Sequence, residues 1–153
     1  MSRAIVCSNK TLEKNLDDKI YIVTGTTSGI GLETVTQLAK QFATVICASR
    51  NSELSNNIIE NIKNETNNDK VYFIHLDLAS LKSVRLFVEK FSNKFSRLDG
   101  LVNNAGIMHT RKQKTVDGFE LQFWGKFLGH FLMDTLFSQV WTICELPIFN
   151  SET

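Results

Sequence analysis

The stretch "KIYIVTGTTSGIG" narrows the folds open to this chain more than any other. Ile20, Tyr21, Ile22 and Val23 are β-branched or aromatic and nearly continuous, as in a strand covered on both faces. Gly25, Gly29 and Gly31 follow at once, with the hydroxyl side chains of Thr26, Thr27 and Ser28 between them. Ile30, Val35, Leu38, Ala39 and Phe42 then recur at helical spacing. A strand that turns directly into a helix leaves free backbone N–H groups at the positive end of the helix dipole. Glycines permit the turn and let an anion approach those donors. The stretch therefore reads as a phosphate cradle. Its spacing, Gly-x-x-x-Gly-x-Gly, lacks the Gly-Lys-Ser/Thr ending of a triphosphate loop, and its place at the start of a βαβ unit favours a dinucleotide.

The alternation continues down the chain. "ATVICAS" reads as a second buried strand, and "SELSNNIIENIKNE" as a helix capped by Ser52 with Leu54, Ile58, Ile59 and Ile62 on one face. "VYFIHLDL" reads as a third strand. Ser80 caps a third helix that presents Val84, Phe87, Val88 and Phe91. "LDGLVNNAG" is a short fourth strand, followed by a loop over 107–117 and an apolar helical pattern over 119–140. Strands alternating with helices predict an α/β fold with a parallel sheet covered on both faces. One domain over 19–140 follows, with a polar arm at 1–18 and a divergent tail at 141–153.

The net charge of +1 offers no bulk attraction for nucleic acid or an anionic membrane. The three cysteines and three histidines are dispersed, with no metal-ligand spacing and no Cys-x-x-Cys, so free thiols and a cytoplasmic setting are expected. The longest charge-free run near the C-terminus, 135–144, is about half of a membrane span.

The second strand ends in "CASRN". An acidic residue here binds the ribose hydroxyls of NAD, whereas an arginine suits the 2′-phosphate of NADP. Arg50 stands here and no acid follows until Glu53, which points to NADP(H). A surface arginine after a strand is the alternative.

In register, "TGTTSGIG", "ASRN", "LDLAS" and "NNAG" resemble the short-chain dehydrogenase/reductase family over about residues 18–137. "DGFELQF" and "FLGHFLM" look most like its branch of retinol dehydrogenases and the WW-domain-containing oxidoreductase. The resemblance implies a three-layer Rossmann-like fold of strand order 3-2-1-4, stopping before a fifth strand. It implies that Gly25, Ser28, Gly29, Ile30 and Gly31 hold the pyrophosphate and nearby ribose, and that Arg50 takes the 2′-phosphate. Asp77 would accept from the adenine amino group beside the Leu78 backbone. Asn103, Ala105 and Gly106 would back the adenosine side and brace the sheet. Read without the resemblance, Asp77 caps the approach to a helix, and Asn103 and Asn104 form a turn.

The family carries Tyr-x-x-x-Lys on the helix after the fifth strand, and a serine at the end of that strand. No Tyr-x-x-x-Lys occurs in the 153 residues, whose two tyrosines are Tyr21 and Tyr72. Lys126 falls where the branch carries an asparagine, and an ammonium cannot accept a hydrogen bond. Hydride transfer to an alcohol or carbonyl, retinoid- or steroid-like, is the family expectation, and this chain as written is expected to be inactive. The alternatives are a non-catalytic NADP(H)- or partner-binding module and a non-functional truncated product. Phe119, Phe123, Phe127 and Phe131 recur every four residues, which predicts a core or interface stripe, with homo-oligomerisation or aggregation through helix 119–140.

Overall fold

The computed structural model describes residues 9–106, 118, 120, 123 and 127–140. Four parallel strands, β1 (Ile20–Thr24), β2 (Thr44–Ser49), β3 (Val71–His75) and β4 (Gly100–Val102), lie in the order β3-β2-β1-β4, as expected. The helices are α1 (Asn9–Leu12), α2 (Gly29–Lys40), α3 (Ser52–Thr66), α4 (Leu81–Lys94) and α5 (Gly129–Val140). The expected segment 119–126 lies mostly outside the described residues, as do the tail 141–153 and residues 1–8 of the arm.

The strand period of two divides the core. Ile22, Ile46, Ala48 and Ile74 face α4 and α5, where Val84, Phe87, Val88, Phe91, Met133 and Phe137 complete one cluster. Val23, Val45, Cys47 and Val71 face the opposite way, onto Val35 and Ala39 of α2 and Ile59 and Ile62 of α3. The strand pairs Ile22–Ile46 and Val23–Cys47 keep like faces together across β1 and β2. The Phe137 ring meets Phe91 edge-on at 5.3 Å and Phe87 at 6.3 Å. Each such fully buried side chain contributes about 1.5–3 kcal/mol.

Helix ends follow local chemistry. Asn51, not the expected Ser52, caps α3: its Oδ1 accepts from Leu54 N at 3.0 Å. Asn51 is extended, so its side chain folds back on the first turn, while Ser52 is already helical. Ser80 caps α4 as expected, accepting from Ser83 N at 3.3 Å. Leu54, expected on the apolar face, is exposed in the first turn of α3. Asn67 ends α3 in the left-handed region, and buried Asn68 then donates to Ala39 O and Ala43 O, tying the turn to the end of α2.

Residues 9–18, expected as part of an arm, dock on the domain. Leu16 is buried among Val35 and Ala39, and its N–H donates to Gln41 O at 2.7 Å. Gln41 Nε2 donates back to Thr11 O and Lys14 O.

Asp99 clamps the start of the sheet. Its Oδ2 accepts from Ile20 N at 2.9 Å and from Arg97 Nε at 3.0 Å, while Lys19 Nζ lies 3.5 Å from Oδ1. Burial works to raise the Asp99 carboxyl, but Arg97, the Ile20 amide and Lys19 outweigh it and hold it below 3.8. A lowered carboxyl stabilises the fold fully above its ordinary value, and the contribution fades as pH falls through the lowered one. Asp99→Asn should therefore cost about 1 kcal/mol in urea unfolding at neutral pH, with the gap to wild type closing in acid.

Candidate functional site

All four strands deliver their carboxyl ends to one side of the sheet. A cleft of about 770 Å³ opens there. The chain runs outward from β1 to β3 and then returns to place β4 on the other flank of β1. Such a reversal leaves a crevice above the strand ends, where α/β sheets bind their ligands.

The floor is the turn from β1 into α2. Gly25 and Gly29 have φ of 70° and 58°, values costly for a residue with a Cβ. A Cβ on Gly25 would also lie 2.8 Å from Ala105 Cα. Gly31 is buried in α2, and a Cβ there would collide with Gly25 O and Asn104 Nδ2. Ser28 stands at the N-cap of α2 in extended conformation, yet its side chain makes no capping bond. Asn51 and Ser80 spend theirs on α3 and α4. The first-turn donors of α2 therefore lack the side-chain acceptor that the other two helices have.

One wall follows β2. Ser49 is buried, and its Oγ lies 2.5 Å from Ser55 Oγ, which donates to Asn51 O at 2.6 Å. With the Ser55 proton so used, Ser49 is the donor of the pair. Arg50 is exposed at the cleft rim, and no ion pair to it occurs among the described residues. The next wall follows β3, where Leu76 N donates to Ser49 O at 2.9 Å. Asp77 Oδ1 accepts from Ala79 N at 3.0 Å, and Asp77 N donates to Ser83 Oγ at 2.9 Å. Among the described residues, Asp77 is the one acidic residue lining the cleft.

The last wall is the segment after β4. Asn104 Nδ2 donates to Thr24 O at 2.9 Å and Gly25 O at 3.2 Å, and Ala105 N donates to Thr24 Oγ1 at 2.9 Å. Asn103 turns away from the cleft and donates to the Asp134 carboxylate of α5.

Of the residues expected at the site, Gly25, Ser28, Ile30, Arg50, Asp77, Leu78, Ala105 and Gly106 line the cleft. Gly29, Gly31 and Asn103 do not; the two glycines shape the turn, and Asn103 ties β4 to α5. Sequence reasoning missed Thr24, Asn104, Gly129 and His130. His130 Nε2 lies 3.1 Å from Thr24 Oγ1, both residues being buried. The spacing of the histidines speaks only to metal ligation, and nothing in it signals this bond. Among the described residues no group of His, Cys, Asp and Glu is placed to hold a metal ion.

Neither tyrosine offers a proton to the cleft. Tyr21 and Tyr72 lie in β1 and β3, and neither lines it. Lys94 Nζ stands 3.7 Å over the Tyr72 ring, against its face rather than its hydroxyl. Burial pushes the Cys47 thiol up to about 12 against the opposing hydrogen bond from Thr26, and so disfavours its thiolate.

The glycines predict a ranking. Gly31→Ala must displace backbone and should cost about 2–3 kcal/mol. Gly29→Ala meets no atom within 4 Å and carries only the positive-φ cost, about 1–2 kcal/mol. Urea unfolding of the two variants checks the order.

A family model described as short chain dehydrogenase matches residues 19–138. The polyprenol dehydrogenase of Homo sapiens is 47% identical over 119 residues, 78% of this chain and 36% of that protein. Retinol dehydrogenase 13 of Homo sapiens is 45% identical over 118 residues, 77% of this chain and 36% of that protein. The chain thus spans little more than a third of the curated relatives it matches. A crystal structure of a protein from Mycobacterium paratuberculosis matches with TM-score 0.73 and 34% identity over 84% of this chain and 44% of its own. A short chain dehydrogenase of Escherichia coli CFT073, complexed with NADPH, matches with TM-score 0.69 and 25% identity over 84% of this chain and 55% of its own. Sheet order, glycine turn and family match agree, and the chain belongs to the short chain dehydrogenase family.

Proposed function

We propose that the cleft binds a nicotinamide dinucleotide, NADP(H) in preference to NAD(H), as the cofactor-holding part of an oxidoreductase. The observation that carries this reading is the N-terminus of α2. It opens, without a side-chain cap and between two positive-φ glycines, into a cleft whose β2 rim offers Arg50 and no carboxylate. Exposed backbone donors and the helix dipole suit a pyrophosphate. The guanidinium suits a 2′-phosphate. Asp77, one oxygen already held by Ala79 N, presents a fixed acceptor for an adenine amino group. Leu78, Ala105 and Gly106 supply the remaining wall, and Ile30, 78% exposed on the first turn of α2, gives an apolar surface to a ligand lying across it. Gly29, Gly31 and Asn103 act by shaping these walls.

When bound, such a cofactor donates or accepts a hydride. The relatives are dehydrogenases of polyprenol and retinol by name, so a long apolar alcohol or its carbonyl, retinoid- or steroid-like, is the substrate class proposed. The 153 residues hold no Tyr-x-x-x-Lys: Gly25 and Leu76 stand four residues after the two tyrosines. These residues are therefore expected to bind cofactor and to transfer no hydride unaided. Among the described residues no helix is long and apolar enough to cross a membrane; a cytoplasmic setting is part of the proposal.

Calorimetric titration tests the reading. NADPH should bind at least tenfold more tightly than NADH. Arg50→Ala should weaken NADPH about 10- to 100-fold, since a charge-assisted phosphate contact is worth roughly 1.5–3 kcal/mol, and leave NADH unchanged. Equal affinity for the two cofactors in the wild type would defeat the NADP(H) preference. Consumption of NADPH with retinal by the chain alone would defeat the expected inactivity.

A second reading, an interaction face, is favoured by one observation. Phe123, Phe127 and Phe131 are 57%, 67% and 63% exposed, and Phe123 and Phe127 stack at 6.0 Å. Exposed aromatics in a row invite a second copy of the chain. Sedimentation should show a dimer or larger species that Phe127→Ser shifts toward monomer.

A further inference from the structure

We propose that α5 sets the shape of the cofactor cleft through the dipeptide Gly129-His130, with His130 a positioning residue that acts through the Thr24 hydroxyl. Among the described residues none of α5 lines the cleft, yet its first two residues touch one wall and the root of the floor from behind. A Cβ on Gly129 would lie 2.6 Å from Leu78 O, so the helix backbone packs directly on the wall after β3. His130, next in sequence, reaches Thr24 at the root of the glycine turn. A shift of α5 therefore moves Leu78 and Thr24 together.

The hydrogen-bond count at Thr24 fixes the roles. Its Oγ1 has three protein partners: Val102 O at 3.3 Å, Ala105 N at 2.9 Å and His130 Nε2 at 3.1 Å. A hydroxyl offers one proton and two lone pairs. The Ala105 amide takes one lone pair. All three contacts are bonds only when the hydroxyl proton goes to Val102 O and Nε2–H donates to the second lone pair. The ring therefore carries its proton on Nε2. With Nε2 bare, the hydroxyl proton would turn to the ring, and the Val102 carbonyl would lose it. The site is closed to water, Thr24 being 0% and His130 6% exposed, so no solvent molecule replaces a missing donor.

Thr24 is where this matters most. Its own carbonyl and that of Gly25 receive Asn104 Nδ2, and its hydroxyl receives the Ala105 amide. The glycine floor and the Ala105–Gly106 wall are thus both fastened to one residue, which His130 holds from the far helix. Asn103 and Asp134 add a second tie between β4 and α5 on the same side.

The test measures NADPH affinity and amide exchange in the 153-residue chain. The affinity arm rests on the cofactor reading above; the exchange arm, run on the free chain, does not. His130→Leu should weaken NADPH about tenfold and speed exchange at Ala105, while Val45 and Ile46 in β2 keep their protection. His130→Gln, whose amide can place an N–H near Nε2, should bind within threefold of wild type. Thr24→Val with His130→Leu should bind no more weakly than Thr24→Val alone, because both remove the same link. Gly129→Ala should weaken NADPH as well. The idea is overturned by wild-type affinity and Ala105 protection in His130→Leu, by additive losses in the double variant, or by faster exchange throughout the sheet. If the wild type binds no NADPH, the cofactor reading falls, and exchange at Ala105 still decides the link. Nitrogen–proton spectra of the wild type need no variant: a proton on Nε2 supports the assignment, and one on Nδ1 alone overturns it.

Discussion

The fold turns on a contact between pieces of backbone. Gly31 of α2 lies so close to Gly25 O and Asn104 that no Cβ fits between them, and Gly25 lies as close to Ala105. This approach lets the first turn of α2 rest on the segment after β4. The strand ends then gather around one opening rather than four. Everything else at the site builds on it: the Asn104 amide reaches two carbonyls of the turn, and Thr24 becomes a meeting point for β1, β4 and α5. A side chain at either glycine would separate the walls before any ligand arrived.

Much of the fold was legible in the sequence because the signals are local. Near-continuous β-branched runs gave the strands, and the spacing of Val84, Phe87, Val88 and Phe91 gave the buried face of α4. The misreadings share a cause. Asn51 and Ser52 are both good caps, and only the backbone angle of Asn51 decides between them. Leu54 fits the helical period, but the period says nothing about where the neighbouring layer ends. Leu16 looks like a stray apolar residue until the Gln41 side chain is seen holding residues 11 and 14.

The candidate site divides the same way. That Gly25, Arg50 and Asp77 lie along one cleft was readable because strand-to-helix turns fall at fixed offsets from each strand. Asn103 reads from the sequence as one of a run with Ala105 and Gly106, but its amide is spent on the Asp134 carboxylate of α5, a partner 31 positions away that local spacing does not reveal. His130 was invisible because its partner is 106 positions away. A bond of that span leaves no mark on spacing.

The two faces of the sheet differ in how far apart their parts lie along the chain. The fully buried residues of the core under α2 and α3 all lie between Leu16 and Val71, each helix following the strand it covers, with Phe73 and Val102 packed at its margin. The core under α4 stays incomplete until Met133 and Phe137 arrive, some forty positions beyond Phe91. Loops that long are slow to close, and their contacts come late. During synthesis one side of the sheet can seal while Phe87 and Phe91 still lack their Phe137 lid. The nascent chain therefore passes through a stage with one finished side and one adhesive side, the stage at which a chaperone would be of use to it.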